Sequence, residues 1–300
     1  KKDMDILPIK TLRDVAGYPS VAMSPLFKDF TTVLARVSTI PDKYPEHGWD
    51  MYGYNNPIPF SAGSLLSLLK NDTELIPVKG VDYVFSLDLA KGVKDKVGIA
   101  MTHLDSYKEK VAWDTNNRKV VTKYPIVKLD FARRLVAIQD SEIDFEEIRE
   151  VIYYLRDIRG FNITKVISDS YQSLEMKQAL SKLGYEFIQY STDMHREVYD
   201  SLVEALYDDR VIWYNNLPLI YELMRLEDQG TKVDHTRTSG KDLADAFALG
   251  VYFAGGGKEY RSSIVEKGTQ PLPVSGKIVK GLSSGGQAQP KIKFPGGLGI

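Results

Sequence analysis

The sequence predicts an α/β protein whose mixed central sheet is covered by helices on both faces. Three observations predict it. The apolar run Tyr83-Val84-Phe85-Ser86-Leu87-Asp88-Leu89-Ala90 is hydrophobic on both faces, as a central strand must be. A second run, Val97-Gly98-Ile99-Ala100-Met101-Thr102, follows turn-like residues 91–96, so the two pair as an antiparallel hairpin. Farther along, short apolar strands alternate with helical periods, which is the texture of parallel βα units.

Taken in order, residues 1–78 are rich in proline (Pro8, Pro19, Pro25, Pro41, Pro45, Pro57, Pro59), with short helical candidates at 10–16, 26–36 and 62–70. They read as an arm or linker packed on a neighbouring domain. After the hairpin, a third strand spans 119–131, with a shorter one at 109–113. Ile148, Val151, Ile152 and Leu155 recur at helical spacing over 143–158. Strand 164–168, helix 173–183, strand 185–190 and helix 196–208 follow. A short apolar piece at 211–213, a helix at 217–227, an extended stretch at 231–235 and a helix at 241–254 complete the domain, 79–257. Gly255-Gly256-Gly257 stops that last helix. Residues 258–300 form a basic tail; its Gly, Pro, Ser and Lys content beyond 268 is that of a flexible segment. Antiparallel strands first and βα units afterwards match the ribonuclease H-like plan.

Composition narrows the chemistry. The chain has 300 residues, 43% hydrophobic and 26% charged, as in ordinary globular proteins. It has no cysteine, which excludes disulfides, thiolate zinc sites and cysteine nucleophiles. No apolar run approaches the roughly 20 residues of a membrane helix, and no signal-peptide pattern opens the chain, so no membrane partner is expected. The formal net charge of −1 argues against nucleic acid only if charge is evenly spread, and it is not. After Glu266 come Lys267, Lys277, Lys280, Lys291 and Lys293 and no acid. There is no Gly-x-x-x-x-Gly-Lys-Ser/Thr phosphate loop and no His-Glu-x-x-His.

What stands out is the placement of aspartates. Asp88 closes one strand and Asp169 closes another, Thr164-Lys165-Val166-Ile167-Ser168-Asp169. Strand ends are where α/β folds form pockets. Asp242 and Asp245 open the final helix three residues apart, and so on one face. Each has an ordinary alternative: Asp88 as a turn cap, Asp169 as a helix-dipole partner, Asp242 as an acidic first-turn residue. Asp245 resists that explanation, because its helical neighbours are apolar and a buried carboxylate is costly unless paired. Converging carboxylates repel unless cations neutralise them, and hard oxygen ligands select Mg²⁺ or Mn²⁺. The chemistry suggested is two-metal phosphodiester hydrolysis. Asp95, in the hairpin turn, and His235, before the last helix, are auxiliary candidates. Lys91, Lys94, Lys96, Arg196 and Lys241 are candidates for phosphate contacts or plain surface charges.

These segments resemble the C-terminal nuclease domain of the tailed-bacteriophage terminase large subunit. The resemblance runs over roughly 80–255. It is carried by Ser86-Leu87-Asp88-Leu89-Ala90 with Asp95 and Gly98-Ile99-Ala100-Met101, and by Ser168-Asp169-Ser170-Tyr171-Gln172-Ser173. Tyr199 to Arg210 and Asp234-His235 with Ser239-Gly240-Lys241-Asp242-Leu243-Ala244-Asp245-Ala246 complete it. It implies a ribonuclease H-like endonuclease that cuts concatemeric double-stranded viral DNA with little sequence specificity. Asp88, Asp169 and Asp242 would be catalytic and would hold two Mg²⁺ or Mn²⁺ ions with Asp245, the third ligand position lying open between Asp242 and Asp245. It further implies an ATPase domain preceding residue 1, a portal or procapsid and a small terminase subunit as partners, and the cytoplasm of the infected bacterial host as the location. Two other readings of the same residues remain: a Holliday-junction resolvase or transposase-type nuclease, and a catalytically silent DNA-binding or capsid-docking module.

Overall fold

The computed structural model describes residues 22, 24–40, 42, 49–50, 53–54, 62–73, 75–89, 96–113, 119–136, 143–169, 174–236 and 239–257. The helix expected at 10–16 and the tail beyond 257 lie outside the described residues. The strand tips 111–113 and 119–122 belong to a second compact unit, and the remaining described residues to the first.

Six strands form the central sheet: β1 (Tyr83–Asp88), β2 (Lys96–Trp113), β3 (Lys119–Val136), β4 (Ile163–Ser168), β5 (Glu186–Gln189) and β6 (Val211–Ile212). Their order is β5-β4-β1-β2-β3-β6. The central strand β1 runs antiparallel to β2, pairing Asp88 with Gly98, and parallel to β4, pairing Leu87 with Ser168. Strands β4 and β5 are parallel, as are β3 and β6. This is the ribonuclease H-like arrangement that the hairpin and the βα units predict.

Helices cover both faces. On one lie α1 (Phe30–Leu34), α5 (Glu197–Tyr207), α6 (Leu217–Met224) and α7 (Asp242–Ala254); on the other lie α2 (Ala62–Asn71), α3 (Phe145–Tyr153) and α4 (Leu174–Lys182). The proline-rich arm contributes to both layers. Phe27, Phe30 and Val33 are buried on the first side, and Leu65, Leu66 and Leu69 on the second. Helix α3 begins at the cap Asp144, whose side chain accepts from the Glu146 N–H, and continues into a wider π-type turn, Tyr154–Ile158. No helix among the described residues is long and apolar enough to cross a membrane.

Strand parity decides which side the strand-end acids face. Side chains alternate along a strand. Tyr83, Phe85 and Leu87 enter the α2–α3–α4 core, whereas Val84 enters the opposite core and the Ser86 hydroxyl donates to the Ala246 carbonyl of α7 at 2.6 Å. Asp88 follows Val84 and Ser86 onto the α7 side. In β4, Val166 and Ile167 divide in the same way, which sends Asp169 after Ile167 to that side too.

Two elements differ from the sequence reading. The strands expected at 97–102 and 109–113 are one strand, β2, because the exposed stretch between them satisfies its backbone through the sheet without burying an apolar face. The helix expected at 217–227 ends at Met224. Residues Leu226–Asp228 (β7) instead pair with Val233–His235 (β8), and the Leu26 N–H donates to the Leu226 carbonyl at 3.0 Å.

Candidate metal centre

The centre is assembled where α7 meets the ends of β1 and β4. Helix α7 is apolar around nearly its whole circumference, since it is packed against β1 beneath and α5 and α6 beside it. Two features seat its first turn. Glu222 of α6 is fully buried, and its Oε2 accepts from the N–H groups of Leu243 and Ala244 at 2.8 and 2.9 Å. That carboxylate satisfies two of the helix's orphan donors and complements its dipole. Gly98, opposite Asp88, supplies the second feature: a Cβ there would fall 1.8 Å from the Asp242 carbonyl oxygen. Only glycine lets the helix start this close to the sheet.

The outcome is a group of three carboxylates, Asp88, Asp169 and Asp245, each offering an oxygen within 4.8 Å of the others. Asp245 is buried, while Asp88 and Asp169 are half-buried. The electrostatics follow from crowding. Burial pushes Asp88 well above the usual carboxylate range, and the charges of Asp245, Asp242 and Asp169 push it further. Burial raises Asp245 to about 6 against the opposing pull of Lys241, with Asp169 adding to the rise. Glu222 is raised to about 8 by burial and then by the charge of Asp242, with Arg134 opposing.

Neighbouring groups hold the acids in place. Thr192 donates to both oxygens of Asp169, from its N–H at 3.0 Å and from its hydroxyl at 2.7 Å. The buried Tyr199 hydroxyl donates to Asp245 Oδ1. Lys241 Nζ lies 3.1 Å from Asp245 Oδ2 and donates to Asp193 Oδ1 at 2.8 Å. Burial pushes that ammonium down, but the two carboxylates outweigh it and hold its pKa above the ordinary value.

The other residues nominated from sequence are placed as follows. Asp242 stands one helical turn before Asp245 and outside the group of three, near enough for its charge to raise Asp88. Its own carboxyl is raised by burial, against the charges of Lys96, Arg134 and His235. His235 bonds through Nδ1 with the Thr236 carbonyl at 2.8 Å and is not in the group. Arg196 is engaged with Asp228 at 2.6 and 3.0 Å. Asp95, Lys91 and Lys94 lie outside the described residues.

The donor set fits a hard divalent cation. All three donor atoms on offer are carboxylate oxygens, the hard donors that Mg²⁺, Mn²⁺ or Ca²⁺ take, and they lie within 4.8 Å of one another. Burial, more than neighbouring charge, raises the carboxyls of Asp88 and Asp245, and Lys241 pulls both the other way.

No protein-family model matches the chain, and no curated protein matches it. Solved structures similar to it include large terminase nucleases. The large terminase nuclease from thermophilic phage G20c with bound magnesium is 11% identical, with a TM-score of 0.46 over 77% of this chain and 97% of that one. The form of that nuclease with bound cobalt is 11% identical, with a TM-score of 0.45 over the same shares. The large terminase nuclease domain of Thermus phage P74-26 is 9% identical, with a TM-score of 0.43 over 76% of this chain and 95% of that one.

Sequence reasoning missed Glu222, Thr192, Tyr199 and Asp193. A signal for Glu222 was present: a lone acid among Leu219, Ile220 and Leu223 poses the same burial problem that singled out Asp245. Thr192 and Asp193 carry no such signal, being polar residues in a turn.

Proposed function

We propose that this chain is a divalent-cation-dependent endonuclease that cuts double-stranded concatemeric viral DNA during genome packaging, with little sequence specificity. The observation that carries the reading is the convergence of Asp88, Asp169 and Asp245 from three separate elements onto one small volume. The motif resemblance over 80–255 supports the packaging context. Asp88, Asp169 and Asp245 would hold Mg²⁺ or Mn²⁺, with Asp242 a turn away as the further carboxylate for a two-ion site. Bound there, the ions would activate the attacking water and stabilise the leaving 3′ oxygen.

The chain's own groups do the positioning. Asp88 and Asp169 are the more exposed acids, on which a phosphodiester would arrive, and Asp245 is the buried one. Lys241, beside Asp245, and Lys96, within electrostatic reach of Asp242, supply positive charge near the acids. Contacts of this kind go to the phosphate backbone and carry no sequence information. By the same motif resemblance, the partners are a portal or procapsid and a small terminase subunit, and the setting is the cytoplasm of the infected bacterial host.

The test is cleavage of a supercoiled plasmid with Mn²⁺, Mg²⁺ or chelator. We expect nicked and linear products with either metal, none with chelator, and none from Asp88→Asn, Asp169→Asn or Asp245→Asn. Folded wild-type protein that leaves the plasmid intact in both metals would instead support a silent docking module. A strong preference for four-way junctions would support a resolvase.

A further inference from the structure

We infer that Thr192 is a positioning residue of the cation site, fixing the plane of the Asp169 carboxylate; this rests on the reading of Asp88, Asp169 and Asp245 as cation ligands. The fold brings the two together. Strands β4 and β5 are parallel, with Ser168 opposite Gln189, and the Tyr190 N–H continues the pairing by donating to the Ser168 carbonyl at 2.9 Å. The chain then turns toward α5, and Thr192 arrives fully buried beside Asp169, 23 residues earlier in sequence.

Its two donors grip different oxygens, the N–H on Oδ1 at 3.0 Å and the hydroxyl on Oδ2 at 2.7 Å. A carboxylate held at one oxygen turns readily about its last side-chain bond, whose torsional wells are broad. Held at both, it does not turn. Each carboxylate oxygen has two lone pairs, so the grip leaves acceptor capacity on both oxygens for a cation. The next residue extends the reach of this turn, since Asp193 accepts from Lys241, which is also bonded to Asp245. Two of the three clustered acids are thus tied to one two-residue segment, Thr192 directly to Asp169 and Asp193 through Lys241 to Asp245.

A purely structural role predicts different behaviour. If Thr192 matters only as buried volume, its methyl group is what counts; if it positions Asp169, the hydroxyl is. Thr192→Val keeps the volume and the backbone bond and removes the hydroxyl. Thr192→Ser keeps the hydroxyl and removes the methyl. Binding of Mn²⁺ alone to the full chain, read by titration calorimetry beside metal-free melting, separates the two. We expect Thr192→Val to bind Mn²⁺ about 10–100-fold more weakly than wild type, and Thr192→Ser to bind as wild type does. Should Thr192→Val not fold, Thr192→Ser against Thr192→Ala isolates the hydroxyl, with the loss expected only in Ala. Valine binding like wild type, or serine as weak as the hydroxyl-free variants, would overturn the inference. Wild-type protein that binds no Mn²⁺ would overturn the reading of the site itself, a failure visible before any variant is compared.

Discussion

Two groups of buried charge in this molecule are built on opposite rules. In the first, the fully buried Arg133 meets Asp42 through two parallel bonds, Nη1 to Oδ2 at 2.7 Å and Nη2 to Oδ1 at 2.8 Å. Charge is matched there, and the fork geometry is the strong form of the interaction. In the second, Asp88, Asp169 and Asp245 crowd together with Asp242 nearby, and the Lys241 ammonium is bonded to only one of the three. The matched pair joins the arm to β3 and has no need of a further ion. The unmatched group carries an electrostatic cost, which shows in the raised carboxyls of Asp88 and Asp245. On the function proposed above, a bound cation offsets that cost.

The contrast breaks most visibly at Asp42. Removing one partner of a buried pair costs about 3–5 kcal/mol, and we expect Asp42→Ala to lower the denaturant midpoint by a corresponding amount with or without metal. Gly98→Ala comes next. Its methyl group would overlap the Asp242 carbonyl, and overpacking of this kind costs about 1–3 kcal/mol. Because it pushes on the first turn of α7, plasmid cleavage should be lost even in protein that still melts cooperatively. A Gly98→Ala variant with full cleavage would mean that the close approach of helix and sheet is irrelevant to the site.

A smaller effect sharpens the comparison through pH. Asp245 is raised to about 6 and Glu222 to about 8, each chiefly by burial, and Asp88 is raised as well. A carboxyl raised on folding contributes stability that is fully present below its unfolded pKa, roughly 4, and lost as pH rises through the folded value. In chelator, the melting temperature should therefore fall as pH climbs from about 4 toward about 8, in so far as these groups set it. Saturating Mn²⁺ should flatten the upper part of that slope. A metal-free melting curve that rises steadily across the same interval would contradict the assignment of uncompensated charge.

Much of this was legible in the sequence, for physical reasons. Apolar runs that end in an acid mark strand tips, which made Asp88 and Asp169 visible, whereas the register that puts the two on one face came only with the sheet. Asp245 was legible because a carboxylate amid Leu243, Ala244, Phe247 and Ala248 demands an explanation. The choice between Asp242 and Asp245 was not legible. Both lie on one helical face, and what separates them is the depth to which α7 sinks at Gly98 and the cap it receives from Glu222. Thr192 and Tyr199 were hidden for a similar reason. Their partners lie 23 and 46 residues away, and no local pattern encodes a contact across that distance. The continuous β2 was missed because its exposed half has no burial pattern to read.

The central claim, that the acidic group is an unbalanced charge awaiting a divalent cation, is tested most directly by melting wild type and Asp88→Asn at pH 8 with chelator and with Mn²⁺. An ion at 100 times its dissociation constant stabilises by about 2.7 kcal/mol, or about 4–5 °C for a chain of this size. The account predicts that wild type gains a shift of that order with Mn²⁺. It also predicts that Asp88→Asn melts at or above the wild-type temperature in chelator and gains little from the metal. A variant that melts well below wild type in chelator, yet gains the same shift from Mn²⁺, would contradict it.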